Sequence, residues 1–210
     1  MIAQYSDNEL CYLVKFITMG ATFPEAEQSL RQIQKTRPRG TITEWNNQEE
    51  TFDGLYETQA KANPSSHYYY TDDVFIDNNA DVAAVLESAF RLPPGNSYAF
   101  WNPMYPCSRR ELSGMALGIQ SDHYISIYAI SENRDEAERH KGWLQNTMAK
   151  IRPHAAGAYL GESDPGMLPG SWFWGEHNSR LLMDVRQKWD PDGLFAAARI
   201  VGQVKRHLVA

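Results

Sequence analysis

No apolar run in the sequence approaches the roughly 20 residues of a membrane span or the h-region of a signal peptide, and Met1 is followed by a polar stretch. A soluble, cytoplasmic chain is expected. Cation clusters are scarce as well: 20 Lys and Arg stand against 26 Asp and Glu, a formal charge of -6, and the basic residues are scattered apart from Lys205, Arg206 and His207. Nucleic acid and anionic membrane surfaces need clustered cations, so both are excluded as partners. Cysteine is nearly absent. Cys11 and Cys107 lack C-x-x-C spacing, which predicts buried free thiols and neither a disulfide nor a metal site. No zinc signature, fixed-period repeat or low-complexity segment is present.

What is plentiful is aromatic: 12% of the 210 residues, with six Trp and eleven Tyr, within an apolar share of 42%. That suggests an aromatic-lined surface in addition to a core. The length suits one sizeable core or two small ones, and a single domain over 1–210 is the default expectation.

Taken in order, residues 10–18 are β-branched and aromatic and read as a strand near the centre of a sheet. Thr22 with Glu25 makes a capping box, Pro24 sits in the first turn, and Ala26, Leu30 and Ile33 form the stripe of a helix to about Lys35. Residues 41–45 read as a second strand and 48–60 as a weak helix. Residues 67–76 are a strong strand, with Tyr68, Tyr70 and Asp72 on one side and His67, Tyr69 and Thr71 on the other. A helix over 79–91 ends at Pro93, Pro94 and Gly95. Strands follow at 97–102, 115–120 and 123–130, the last two joined by a turn at Ser121 and Asp122. Asn133 caps a helix to Ile151, with Asp135 and Glu136 in its first turn. Short connections between strands favour an α+β fold: an antiparallel or mixed sheet of about six strands, with helices packed mainly on one face.

Polar and aromatic groups concentrate in residues 159–195, which read as a short strand, a Gly/Pro-rich loop and an amphipathic helix stopped by Pro191-Asp192-Gly193. Three local patterns lie here. Tyr159-Leu160-Gly161-Glu162-Ser163-Asp164 looks like Y-x-N-[YE]-x-D. Phe173-Trp174-Gly175-Glu176, followed by Arg180-Leu181-Leu182, looks like [YF]-[YFW]-G-x-N-Y-x-R-L. Lys188-Trp189-Asp190-Pro191-Asp192-Gly193-Leu194-Phe195 looks like K-[YW]-D-P-x-x-[LV]-F. In this order and spacing the stretch resembles the C-terminal segment of berberine bridge enzyme-like FAD-linked oxidases, within the vanillyl-alcohol oxidase superfamily. Residues 196–210 form a tail beyond it.

The resemblance implies a substrate-binding domain whose sheet forms a wall over the flavin ring, without the N-terminal domain that holds most of the FAD. No Gly-rich phosphate loop is present, nor a His or Cys in the context used for covalent flavin attachment. Two departures bear on the cofactor: Gly161 stands at the family's Asn of Y-x-N, and His177 at the Asn of G-x-N-Y, with Asn178 where Tyr is usual. Fewer amide groups are expected where no flavin is contacted, so the implied cofactor is none, or FAD only if a partner supplies the missing domain.

Glu162 is the first catalytic candidate. A carboxylate among aromatics, at the strand end that the resemblance points into the substrate cavity, suits a general acid or base; the competing reading is a solvated loop glutamate. Tyr159 is expected to pack in the core, and Asp164 to brace the loop. His177, in the first turn of the terminal helix, is the second catalytic candidate, against an exposed helix-start residue. Tyr68, Tyr70, Trp101, Tyr124, Tyr128, Trp172 and Trp174 are candidates to line a substrate pocket, or to bury against a partner or in the core. His67 and His123, each starting a strand, reach that cavity or stay on the surface.

Three functions remain: a flavin-independent acid/base enzyme of specialised metabolism acting on a bulky, largely apolar metabolite by cyclisation, isomerisation or dehydration; one half of a split FAD-dependent oxidoreductase; and a non-catalytic small-molecule binding protein. An uncovered aromatic face predicts a homodimer or a complex with a flavin-domain partner.

Overall fold

The computed structural model of the protein describes residues 1–112 and 114–195. They group into two compact units, one of Met1–Tyr12 with His67 onward, the other of Leu13–Ser66. The expected tail over 196–210, with Lys205, Arg206 and His207, lies outside the described residues.

The larger unit is built on a six-stranded sheet in the order β2-β1-β4-β5-β3-β6, formed by β1 (Ile2–Ser6), β2 (Glu9–Leu13), β3 (Tyr68–Ile76), β4 (Tyr98–Pro103), β5 (His123–Ser131) and β6 (Ala155–Gly157). Its described pairings β1/β4, β4/β5, β3/β5 and β3/β6 are all antiparallel. Two helices, α3 (Val82–Ala89) and α4 (Arg134–Ile151), pack with the sheet around one core, in which Val74, Ile76, Ile125, Ile127 and Ala129 meet Val85, Ala89, Leu144, Met148 and Ile151. The expected α+β architecture is borne out. Alternation decides the layering, because successive strand residues point to opposite faces. On β5, Ile125, Ile127 and Ala129 turn to the helices and leave Tyr124, Ser126 and Tyr128 on the other face.

The strand expected at the sheet centre over 10–18 is instead an edge strand, β2, and β1 before it is not visible from β-propensity alone. Asp7 and Asn8, both at positive φ (50° and 65°), make a tight turn that folds the two strands into a hairpin. Residues 115–120 are irregular, not a strand. Their carbonyls at Met115 and Ala116 are taken by the Asn178 side-chain amide, at 3.1 and 3.0 Å, so they are not free for a ladder. The turn expected at Ser121 and Asp122 therefore joins no hairpin. Buried Ser121 instead ties the strand ends together, its hydroxyl donating to the Ile76 carbonyl and accepting from the His123 N–H at 3.0 Å.

The long terminal helix α5 (Ser171–Trp189) is broken at Gly175, whose φ of 73° and ψ of 164° are accessible essentially to glycine alone. The regular helix starts after it. At the other end Asp190 explains the D-P-D-G pattern: its carboxylate accepts the N–H groups of Leu194 (2.6 Å) and Phe195 (3.3 Å) and pairs with Arg186 at 3.7 Å, both side chains nearly buried.

The smaller unit holds α1 (Phe23–Gln34) and α2 (Phe52–Ala62). The expected capping box starts α1, with the Thr22 N–H donating to the Glu25 carboxylate at 3.2 Å. Residues 41–45 form no strand, contrary to expectation. They are exposed, and a segment of strand-forming residues without a neighbour to pair with has no ladder to join. No helix among the described residues is long and apolar enough to cross a membrane. Both cysteines are free, as expected, but Cys107 is exposed and Cys11 only half-buried.

Candidate functional site

The sheet face turned away from α3 and α4 carries Tyr98 and Phe100 from β4, Tyr124, Ser126 and Tyr128 from β5, and Thr71, Asp73 and Phe75 from β3, aligned by register: Phe75 with Tyr124, Asp73 with Ser126, Thr71 with Tyr128, and Tyr98 with Tyr128. Aromatic rings pave it. Tyr98 stacks on Tyr128 at 4.6 Å between centroids, and Tyr124 lies between Phe75 (5.0 Å) and Phe100 (5.8 Å).

Residues 159–163 cross this face as a turn. The expected strand at Tyr159 has already ended at Gly157, and Glu162 and Ser163 both donate backbone N–H to the Tyr159 carbonyl at 3.2 Å. Thr71 donates its hydroxyl to the Glu162 carbonyl at 2.9 Å. The Glu162 carboxylate then meets the Tyr124 hydroxyl at 2.8 Å, with Tyr128 also facing it. Tyr159 is not core: it is 44% exposed and sets its ring edge-on to Tyr124 at 6.5 Å. A Cβ added at Gly161 would lie 2.6 Å from that ring, so the Tyr159 side chain occupies the space a residue at 161 would need.

Beneath the turn lies Asp73, fully buried. Its carboxylate accepts the Tyr159 N–H at 2.6 Å and the Ser163 hydroxyl at 2.7 Å. Burial above all, with the charges of Asp72 and Glu162, pushes its pKa up to about 7 against those two hydrogen bonds. Asp72, next to it on β3, pairs with Arg152 and also accepts the Ser163 hydroxyl at 3.2 Å, and burial raises its pKa too. Burial, then the charge of Asp73, drives the Tyr124 phenol far above its ordinary pKa. Tyr128 is raised by burial and by Glu162. Both phenols therefore stay protonated and serve as donors, and the Glu162 carboxylate accepts from Tyr124.

Of the sequence candidates, Glu162, Tyr124 and Tyr128 are brought together. Tyr68, Tyr70 and Trp101 are not: register puts them on the helix face, opposite Ser131, Ala129 and Ile125. There the Tyr70 hydroxyl donates to Glu138 at 3.0 Å, and the Trp101 indole donates to His123 at 3.3 Å. His67 lies beside Asn96 (3.1 Å) at the start of β3. Trp172 packs against the main core, and Trp174 lies edge-on to buried Phe173. His177 is an exposed residue just past the Gly175 break. Asp164 braces the loop as expected, accepting the Gly166 N–H at 2.8 Å.

Sequence reasoning misses Asp73, Ser126, Ser163, Tyr98 and Phe100. Asp73 had a signal, since a carboxylate beside Val74, Phe75 and Ile76 interrupts an apolar run and must find donors. A depression of about 640 Å³ elsewhere, lined by Arg91, Arg139, Trp143 and Lys150 among others, belongs to α3 and α4 and shares no residue with the Glu162 turn.

The described residues suit part of a flavin and not the whole. Tyr98, Phe100 and Tyr128 offer half-buried rings to a flat conjugated group. A diphosphate needs cations or a nest of N–H groups, and the face positions on β1, β3, β4 and β5 include no Lys or Arg.

No family model matches the chain. Among characterised proteins it is similar to FAD-linked oxidoreductases: penO of Penicillium crustosum, 29% identical over 185 residues, covering 88% of this chain and 41% of that protein; and nodO of Hypoxylon pulicicidum, 28% identical over 173 residues, covering 82% and 38%. The chain thus spans about two fifths of the length of these relatives. Among solved structures it resembles CrmK, a flavoenzyme of caerulomycin biosynthesis (TM-score 0.53, 14% identity, 62% of this chain and 31% of that one), and GilR, an oxidoreductase of gilvocarcin biosynthesis (TM-score 0.51, 18% identity, 62% and 32%). The expected likeness to the C-terminal part of FAD-linked oxidases is borne out.

Proposed function

We propose that this chain is an acid/base scaffold for a bulky, largely apolar small molecule, with Glu162 as the proton acceptor. One observation carries the reading: the Glu162 carboxylate is held at 2.8 Å from the Tyr124 hydroxyl, on an aromatic sheet face. Glu162 takes a proton from a substrate carbon or hydroxyl, and Tyr124 and Tyr128, fixed as donors, stabilise the carboxylate before transfer and the substrate's developing charge after it. Tyr98, Phe100 and Tyr128 supply flat contacts that orient the substrate and limit water. Cyclisation, isomerisation or dehydration needs no more than this, so the reaction runs without a redox cofactor. His177, exposed on α5, assists as a proton relay if the substrate reaches it.

A second reading draws on the relatives, which are named as FAD-linked and are about two and a half times as long as the matched segment. Here the chain is the substrate-domain half of a split oxidoreductase, a second polypeptide brings the nucleotide domain, and FAD, once bound, supplies hydride acceptance. The sheet face with Tyr98, Phe100 and Tyr128 is then where that partner or a second copy docks. The purified protein separates the readings. Turnover by a colourless sample, lost in Glu162→Gln, supports the first. Flavin absorbance in the sample, or turnover only after a flavin-bearing partner is added, sinks it in favour of the second. Ligand binding with no turnover under either condition leaves a binding protein and overturns both.

A further inference from the structure

We propose that Asp73 is a positioning residue of the Glu162 site, whose buried carboxyl latches residues 159–163 onto the sheet and whose ionisation releases them, a role that rests on the reading of Glu162 as the proton acceptor. Asp73 lies on β3 opposite Ser126 and is fully buried. Its two oxygens take the Tyr159 N–H and the Ser163 hydroxyl, and those residues bracket Glu162. The latch therefore fixes where the Glu162 side chain meets Tyr124. The same turn is what dries Asp73.

The charged and titratable groups around Asp73 come from three elements. Asp72 neighbours it on β3, is engaged by Arg152 and shares the Ser163 hydroxyl at 3.2 Å; Glu162 and Tyr159 come from the turn; Tyr124 and Tyr128 come from β5. Among the described residues no cation pairs with Asp73 itself. Its pKa of about 7 is a property of the covered state. With the turn lifted the carboxyl meets water and returns towards the ordinary value of about 4. The covered state thus binds the proton more tightly, and raising pH through 7 favours lifting.

Amide hydrogen exchange of the full chain, corrected for the intrinsic base-catalysed rate, tests this. Protection of the Tyr159 and Ser163 amides is expected to fall about tenfold between about pH 6 and about pH 8, while Asp73→Asn, locked uncharged, shows a flat profile. A flat wild-type profile, or the same fall in Asp73→Asn, overturns the latch. Should Asp73→Asn fail to fold, Ser163→Ala serves instead: losing a hydrogen bond to the charged form moves the midpoint to higher pH, and an unmoved midpoint overturns the proposal. Glu162→Gln removes a like charge and lowers the midpoint. The two readings fail separately. Turnover that survives Glu162→Gln with the pH-dependent exchange intact sinks only the acid/base role, and turnover lost in Glu162→Gln with flat wild-type exchange sinks only the latch.

Discussion

Tyr124 and Glu162 form a pair in which the roles are assigned by environment. The phenol is buried near a second carboxylate and holds its proton, so replacing it by Phe removes a donor to Glu162 without removing the ring that packs between Phe75 and Phe100. Under the acid/base reading, Glu162→Gln is expected to lower kcat by about a hundredfold or more, and Tyr124→Phe by about tenfold through loss of a charge-assisted hydrogen bond. Steady-state kinetics on a common substrate checks both. Asp73 makes a separate prediction for stability. Its pKa is raised on folding, so its contribution is present below the unfolded value of about 4 and is lost as pH rises through about 7. At about 1.4 kcal/mol per pKa unit the effect is bounded at about 4 kcal/mol. Denaturant titrations of the wild type are expected to weaken from pH 4 to pH 7, and those of Asp73→Asn to do so much less.

The elements show where a short pattern has a mechanical reason. Gly175 opens the regular part of α5 in a conformation closed to side chains, so Gly175→Ala is expected to destabilise by about 1–3 kcal/mol with unchanged helix content by circular dichroism. At the other end, Asp190→Ala strands Arg186, whose Nε already lacks a partner, and removes the acceptor of two backbone N–H groups. A loss of about 3 kcal/mol is expected in chemical denaturation. The stop at Pro191-Asp192-Gly193 was legible from residue type, whereas the Gly175 break and the Asp190 contacts were not, because each depends on the folded backbone around it. Helices α1, α3 and α4 were legible from residue type too, with Thr51 of α2 a further cap that the weak stripe over 48–60 obscured. Residues 41–45 and 115–120 were not. They have strand-forming residues, but whether a strand forms depends on a neighbour, and neighbours are not written locally.

At the scale of the molecule, alternation along β3 and β5 was readable from residue type, but which parity faces the helices was not. That choice is made by Val74, Ile76, Ile125 and Ile127 packing on α3 and α4, and it sent Tyr68, Tyr70 and Trp101 to one side and Tyr98, Tyr124 and Tyr128 to the other. Glu162 was found from its motif, whereas Asp73 needed the turn to be folded over it. Under either reading of the function the aromatic face is left to be covered, so sedimentation at micromolar protein is expected to show a dimer, or a complex once a flavin-bearing partner is present. A monodisperse monomer in both conditions counts against it. The division of rings between the faces also has an optical consequence. None of the residues on the Glu162 side of β1, β3, β4 or β5 is a tryptophan, while Trp101 lies on the helix side. These strands therefore put no native indole into the ring pavement beside Glu162. Phe100→Trp would place a single fluorophore within the ring pavement, turning occupancy of that face into a direct optical readout.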